Sequence, residues 1–553
     1  MTALNPLPIT HPASEILFTS NVMITVPLPG KDLKDPGPDE DIKEVVAKAS
    51  CEDQLYWYDH PIPIGIDTAR NEAVYGMRGL EGAVRFETIR GNVEEGARAT
   101  CLLSVSTTHE GLRKVARKYL EGELLKTGAL DHLDIYMLTE ADTVRLAEEI
   151  LIPSMDHYSG PDGRDSFRRV FGVDGKYGRH YSFLKAAAPL WQLLVDPAIR
   201  GTFKIDLDQV FDQDRLVEET GRSAFEHLMT PLWGAAGLDH NDQAVELGMI
   251  AGALVNESDI EKGLFTPDVT FPTIPSTPAA TTITSTNLSP DHWLFYSRLP
   301  QALSTEAEMM LRYNAGETDG EFAGQSRCIQ RVHVTGGTTG ILIDSLRKYR
   351  PFTPVFVGRA EDQAYLMSVL FGGEEQNLRY AHASGLIMRH DKEGFAGEAI
   401  EAAHLGKEVG DLARILLFTS YARSLSWSVS RIKDLLDPFT GCFISRIPVT
   451  VVYLRLALRA ASLFATGLEK DAKEGWELLQ LACQNLPSLI EMTASGPEPL
   501  KEEYLEEKAG WDMYYDVLDE LEKALDLEDP FAIEVKEKVR EILDGCRLDL
   551  DGK

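Results

Sequence analysis

From Ala99 onward the chain alternates short unbroken apolar runs with stretches of helical spacing, and few folds accept that order. Thr100–Ser106 (TCLLSVS) is almost wholly apolar, Thr107-Thr108-His109-Glu110-Gly111 is a polar turn, and Leu112–Leu125 repeats its apolar residues as a helix does. A second run, Leu133–Leu138 (LDIYML), precedes helical spacing over Ala141–Ile150. A third, Gly201–Leu207 (GTFKIDL), follows a helix at Ser182–Leu194. Strands that read as continuous apolar runs are covered on both faces, and strands separated by helices are joined by crossovers. The pattern therefore predicts an α/β domain on a mixed, mainly parallel sheet. Ala244–Val255 is a fourth apolar run, and sheet-like segments return at Cys328–Thr335 and Pro354–Val357, with a helix expected between them at Ile341–Lys348.

The flanks are different. Over residues 1–98, Val22–Pro27 reads as a short strand, Pro27–Pro38 as a loop, Tyr56–Ile66 (YWYDHPIPIGI) as an aromatic segment punctuated by prolines, and Asn71–Glu87 as a helix. Beyond Glu398 the spacing is helical almost throughout, over 398–437, 447–466, 469–487, 500–527 and 530–545. With 553 residues the chain exceeds one ordinary core,. The expected organisation is a mixed N-terminal segment (1–98), an α/β domain (99–397) and a helical region (398–553). Within the second unit, Thr266–Thr286 is rich in Pro, Thr and Ser and reads as a long loop or lid,.

Charge narrows the partners. Against 55 basic side chains stand 87 acidic ones, a formal net charge of −32. A field of that sign suits neither duplex nucleic acid nor an anionic membrane, and an anionic ligand would need a local cation, for which a metal ion serves. The six cysteines are scattered without metal-type spacing, as expected of reduced thiols in a cytoplasmic protein,. The opening MTALNPLPITHPASEILF has no basic region and no sustained apolar stretch, so no signal peptide is expected,. The most apolar run, Ile447–Phe464, carries Arg455 and Arg459 on one helix face and reads as a soluble amphipathic helix rather than a membrane span,. The apolar faces of the C-terminal helices can be covered within the chain or by a second copy, so a homo-oligomer is possible on this pattern.

Candidate chemistry starts at Phe203-Lys204-Ile205-Asp206-Leu207-Asp208, where an apolar strand ends in two carboxylates spaced i, i+2. On a strand such a pair shares a face, and carboxylate oxygens at the C-terminal edge suit Mg²⁺ or Mn²⁺ bridging to a diphosphate. Upstream, Gly175–Lys185 (GKYGRHYSFLK) places Arg179 and Lys185 on the helix that feeds this strand. Downstream, His333–Ile341 (HVTGGTTGI) has the form of a glycine turn opening a helix, where backbone can approach a ligand and the helix end adds positive potential,. Glu361 and Asp362 stand at a helix start, where acids serve as dipole partners or as general bases. Gly385–His390 ends a further apolar run in a histidine, with His382 as a rival eight residues earlier. Trp233 and Trp293 suit either core packing or stacking on a sugar face.

In this order the pieces resemble a GT-A-type glycosyltransferase over roughly residues 99–395. The resemblance implies a Rossmann-like core and transfer of a sugar from a nucleoside-diphosphate sugar, UDP- or GDP-linked, to a hydroxyl acceptor with a divalent metal, Mg²⁺ or Mn²⁺. It places Ser104, Ser106 and Thr107 beside the nucleotide, Glu140 or Asp142 near the base or ribose, and Arg179 and Lys185 on diphosphate or uracil. It makes Asp206 and Asp208 metal ligands, Asp206 also touching the nucleotide, with His390 as a further ligand. Thr335, Gly336, Gly337, Thr338 and Thr339 would shape the acceptor site. Glu361 and Asp362 match the acidic pair of inverting members, Asp362 being the base, whereas the late histidine belongs to retaining members, so the stereochemical outcome stays open. The N-terminal segment and the helical C-terminal region lie outside the minimal pattern.

Two other classes share parts of this pattern. Asp206-Leu-Asp208-Gln-Val210 also fits the strand-end motif of haloacid-dehalogenase-type phosphatases, with Asp206 as nucleophile and Asp208 as general acid,. A non-catalytic protein that binds sugar nucleotides would keep the glycine turn and the aromatic residues.

Overall fold

The computed structural model describes residues 2–549 apart from 29, 31–32, 34–39, 162, 239–241, 257–319, 323–324, 328–335, 374–376, 391, 437, 442 and 495–497. The expected strand at Cys328–Thr335, the Thr266–Thr286 stretch and Trp293 lie outside the described residues.

Seven strands carry the architecture: β1 (Ile16–Thr25), β2 (Ala99–Thr107), β3 (Leu133–Thr139), β4 (Gly201–Ile205), β5 (Ala244–Asn256), β6 (Thr338–Leu342) and β7 (Leu378–His390). They form one mixed sheet in the order β7-β5-β6-β4-β1-β2-β3, lengthened by Ile62–Pro63 beside β1 and Ala236–Leu238 beside β5. β1 pairs in parallel with both β2 and β4, β2 with β3, and β5 with β7. β6 alone among these seven runs antiparallel to its neighbours β4 and β5. The expected mixed, mainly parallel sheet is present. From β1 the chain steps outward through β2 to β3 and then returns to the other side of β1 as β4, so the strand order reverses at β1, and a parallel sheet leaves a crevice at its carboxyl ends there,.

Alternation along the strands feeds two cores. Leu17 and Leu102 point into a cluster with helix α3 (Tyr177–Leu194), α4 (Glu361–Phe371) and the C-terminal helices. Ile16, Phe18, Cys101 and Leu103 point the other way, toward α1 (Glu72–Arg90) and α2 (Ala116–Leu125). Each such fully buried side chain contributes roughly 1.5–3 kcal/mol of transfer free energy, so a one-residue slip of any central strand would forfeit both cores.

The C-terminal region consists mainly of α5 (Lys392–Ser424), α6 (Pro448–Ala465), α7 (Glu469–Ala494), α8 (Glu498–Asp526) and α9 (Pro530–Asp544). By length and composition alone α6 could cross a membrane. Here it packs against α5 and α7, with Arg455 buried and Arg459 paired to Glu408 at 2.6 Å and Glu474 at 3.1 Å. After α9 the chain returns to the outer edge of β3. The Met137 N–H donates to the Cys546 carbonyl and the Leu548 N–H to that of Ile135, each at 2.8 Å. Cys51, Cys101, Cys483 and Cys546 are free thiols.

Three sequence expectations change. Residues 1–98 were set apart from 99–397, yet their strand β1 lies between β2 and β4, so the two share one sheet. Thr338–Leu342 is strand β6 and not the start of a helix: its threonines and Ile341 fit the slot between β4 and β5, and the helix begins only at Ile343,. The glycine turn therefore carries no helix dipole. Pro354–Val357 is a turn and not sheet; the Gly178 N–H on α3 donates to Val357 O at 3.1 Å, which seats this turn on the helix.

Candidate active site

β4 is short, and its shortness makes the site. It leaves the sheet opposite Ser20, whose Oγ donates to Ile205 O at 2.7 Å, so that Asn21, Val22 and Met23 of β1 border a hollow of about 150 Å³. Asp206, Leu207 and Asp208 line it as the chain exits β4, with Glu361 from α4, Tyr177 from α3 and Glu72 from α1. Asp59 and His60 close it from the aromatic, proline-punctuated segment. The exit lies close against α1: a Cβ on Gly76 would stand 2.7 Å from Leu207 Cα, so only glycine lets the helix approach this far.

Lys204, the penultimate residue of β4, is buried and ion-paired with Asp206. Burial opposes its charge, but Asp206, Glu361 and Asp362 outweigh burial and hold its pKa above the ordinary value. Lys185 lies in the same interior, and both ammonium groups sit over the Tyr181 ring, at 5.4 Å for Lys185 and 5.6 Å for Lys204. With no equal compensation, Lys185 is driven well below its ordinary pKa by burial and then by the charge of Lys204, and it donates to Thr339 O at 3.1 Å.

The acidic pair enters from the opposite side. Ala360, just before α4, has φ +61°, a left-handed conformation that costs a non-glycine residue roughly 1 kcal/mol or more,. That turn directs Glu361 and Asp362 into the interior. Burial first, then Asp362, pushes Glu361 up to about 8. Asp362 is raised by burial too, while Lys204 and Arg414 oppose the rise. The glycine turn completes the cluster. A Cβ on Gly337 would come within 2.5 Å of Asp206 Oδ2, and one on Gly336 within 3.0 Å of Asp362 Oδ2. Their use here is the missing side chain rather than conformational freedom.

Five carboxylates, those of Asp59, Glu72, Asp206, Asp208 and Glu361, thus line one small hollow. All are hard oxygen donors, which fits a divalent cation of the Mg²⁺ or Mn²⁺ kind. Among the described residues no three of the His, Cys, Asp and Glu side chains form a ready-made cage. The fit is to an ion held by one or two carboxylates and completed by ligand oxygens, the usual habit of Mg²⁺.

A second hollow, of about 290 Å³, opens at the carboxyl ends of β2 and β3. Val105, Ala116, Ala141 and Val144 give it apolar walls, and Thr107, Arg113, Thr139 and Glu140 its polar groups. Glu140 pairs with Arg113 through Oε2, and its buried Oε1 has no hydrogen-bond partner in the structure. Burial pushes it up to about 7, with Arg113 opposing and Asp174 adding to the rise.

No family model, curated protein or solved structure matches the chain.

Of the residues singled out by sequence, the structure gathers Asp206, Asp208, Glu361, Asp362, Gly336 and Gly337 around one centre, and puts Thr107 and Glu140 at the second hollow. The others are placed differently. Ser104 and Ser106 are buried within β2 before its end. Asp142 closes a capping box with Thr139 and pairs with Arg117. Arg179 is taken up by Asp174 at 3.1 Å and by Phe171 O at 2.8 Å, where it braces the turn before α3. Thr338 and Thr339 are buried in β6. Trp233 is core, its Nε1 donating to Gly248 O at 3.1 Å. Thr335 lies outside the described residues, as does the His390 side chain. The backbone of His390 follows Arg389, which exchanges two hydrogen bonds with Val210, so β7 ends beside the exit of β4. Sequence reading missed Lys204, Asp59, His60, Glu72 and Tyr177. Lys204 could have been found: a lysine within an apolar run needs a buried counter-charge, and Asp206 is two residues on.

Proposed function

We propose that the protein is a glycosyltransferase of the GT-A type that moves a sugar from a nucleoside-diphosphate sugar to a hydroxyl acceptor. One observation carries this reading: where the strand order reverses at β1, the paired aspartates after β4 and Glu361 of α4 line one hollow, with the Gly336-Gly337 turn packed behind them against Asp206 and Asp362. The apolar slot at the ends of β2 and β3 gives a nucleoside a place on the same sheet edge,. A divalent cation held by Asp206 and Asp208 would neutralise charge on the departing diphosphate. Lys204, fixed beside Asp206, keeps that carboxylate oriented and adds positive potential where charge develops,.

Burial raises the pKa of both Glu361 and Asp362, which makes each carboxylate, once ionised, a stronger base than a surface acid, as removal of a proton from an acceptor hydroxyl requires,. Their carboxylates also suit an oxocarbenium-like transition state. The turn at Gly336-Gly337 packs its backbone directly against Asp206 and Asp362, which fixes both carboxylates where positioning counts,. The phosphatase reading uses only the two aspartates; the glycosyl-transfer reading also employs the acidic pair and the slot.

A thermal-shift panel of UDP, GDP, ADP and their sugar conjugates, with Mn²⁺, Mg²⁺ or chelator, tests the proposal. Ligand at about 100 times Kd should stabilise the fold by roughly 2.7 kcal/mol. A metal-dependent shift with one nucleotide family, lost in Asp206→Ala and Asp208→Ala, is the expected result. No shift with any nucleotide, together with hydrolysis of a generic phosphate ester, would overturn it.

A further inference from the structure

A third hollow, of about 280 Å³, lies at the C-terminal end of α5. Its lining is Arg423, Val429, Ser430, Lys433, Ile444, Ser445 and Arg446, with three cations, two hydroxyls and no acid among the described residues. Arg423 belongs to the last turn of α5, nine residues beyond Arg414, which is roughly 14 Å along the helix,. Since Arg414 is the one whose charge reaches Asp362, this is a separate place.

The surroundings make the lining unusual. In a chain with 87 acidic side chains, arginines in or against the helical region find carboxylates readily. Arg459 meets Glu408 at 2.6 Å, and Arg350 meets Asp516 at 2.8 Å. Arg347 meets Glu522 at 2.6 Å. Neither Arg423 nor Arg446 meets a carboxylate among the described residues, although both face one hollow. A helix C-terminus attracts cations by itself, and that accounts for Arg423, but Arg446 stands on the following loop. The loop is also built firmly. Lys433 Nζ donates to Ile444 O at 2.6 Å, the Ser445 N–H donates to Thr419 Oγ1 at 3.0 Å, and the Ile447 N–H donates to Ser445 Oγ at 3.1 Å.

We propose that this hollow binds a phosphate-bearing anion, with Arg423 and Arg446 as its charged donors and Ser430 as a further donor. Guanidinium groups match phosphate oxygens in geometry and charge, and two of them around one cavity, without a carboxylate partner among the described residues, favour a local positive potential inside a negative protein. The phosphate can belong to a soluble ligand or to a lipid headgroup. Ile447, one residue past Arg446, is exposed and begins a face of α6 that also exposes Tyr453, Leu454 and Phe464, so both sources are tested.

The test is calorimetric titration of the full chain with inorganic phosphate and pyrophosphate at low salt. Chelator is present so that a metal at Asp206 and Asp208 contributes nothing. A parallel arm is sedimentation with vesicles of phosphatidylcholine mixed with phosphatidic acid. Saturable one-to-one binding is expected, weakened at least about tenfold by each of Arg423→Gln and Arg446→Gln, as loss of one charge-assisted contact implies. Arg446 is exposed, so Arg446→Gln keeps its fold even if Arg423→Gln does not; melting curves check both. Binding to free anion or to vesicles, lost in the variants, supports the site and names the source. Absence of binding in both arms, or binding that survives both substitutions, overturns it. A negative nucleotide panel would leave this result standing, because the two sites share no residue.

Discussion

On α9, Glu534 and Lys538 meet at 2.8 Å in full solvent, and the contact draws the carboxyl below its ordinary range. At the edge of the sheet, Glu361 is buried beside Asp362 and its carboxyl is pushed up to about 8. Both are acids near an end of a helix, yet one is a replaceable surface charge and the other is held against its own preference. Other acids on α8 and α9 are of the first kind, facing water with lysines one turn away. The acids at the hollow are packed together despite repulsion, which a fold tolerates when the arrangement serves a ligand. Formal charge alone hides this difference.

The comparison breaks first, and most visibly, at Asp362. Asp362→Asn should lower sugar transfer by roughly 10²–10⁴-fold, the usual contribution of a positioned base. Its melting temperature should hold or rise, because a buried like charge has gone. Transfer assays with the donor named by the nucleotide panel, run beside melting curves, check both halves; a variant that keeps full activity would reduce the pair to helix-end acids.

Next in size is Lys204→Met. Removing one partner of a buried ion pair costs roughly 3–5 kcal/mol, and the outcome should fall below that range because the Asp206 side chain keeps 32% of its surface in solvent. Denaturant unfolding measures it. The same change should move Glu361 further upward, since Lys204 opposes its rise.

Glu361→Gln acts on a slope. The folded carboxyl titrates near 8 against an ordinary value of 4.5, so the folded state keeps a proton that the unfolded chain releases. The wild-type protein should therefore lose stability as pH rises from about 4.5 to about 8, and Glu361→Gln should flatten that loss. Glu507, raised to about 8, Glu140, raised to about 7, and Asp362 add to the slope in the same direction, all chiefly by burial, whereas His180, lowered to about 3, and His227, lowered to about 4, act against it below about pH 6.5,. A series of unfolding curves across this window decides; equal slopes would mean that Glu361 is not protonated in the fold. Smallest of all, Glu534→Gln should leave the melting temperature where it was.

How much of this could be read in advance follows from the range of the interactions. β2, β3 and β4 announce themselves because a strand covered on both faces must be apolar along its length, and the paired aspartates after β4 are equally local. β1 was separated from its partners because more than seventy residues intervene before β2, and nothing local marks a strand as central. The strand at Thr338–Leu342 runs directly into a helix, so its register with β4 and β5, not its spacing, makes it sheet. Asp59 and His60 reach the hollow through a loop whose path depends on Tyr58, which donates to Gly175 O at 2.8 Å. Arg179 looked like a ligand group because its consumption by Asp174 and by backbone carbonyls leaves no trace in spacing.

The closure of β3 by residues 546–548 bears on the order in which the molecule can be completed. A ribosome delivers β3 some four hundred residues before the segment that covers its outer edge. Through that interval the sheet offers an open row of backbone donors and acceptors, the kind of template on which another nascent chain can add. Asp134 and Arg547, joined at 2.5 Å across this seam, put a charged pair at the border. Residues 546–548 are thus a clasp, and a chain cut short of them would be expected to keep its interior and lose its solitude.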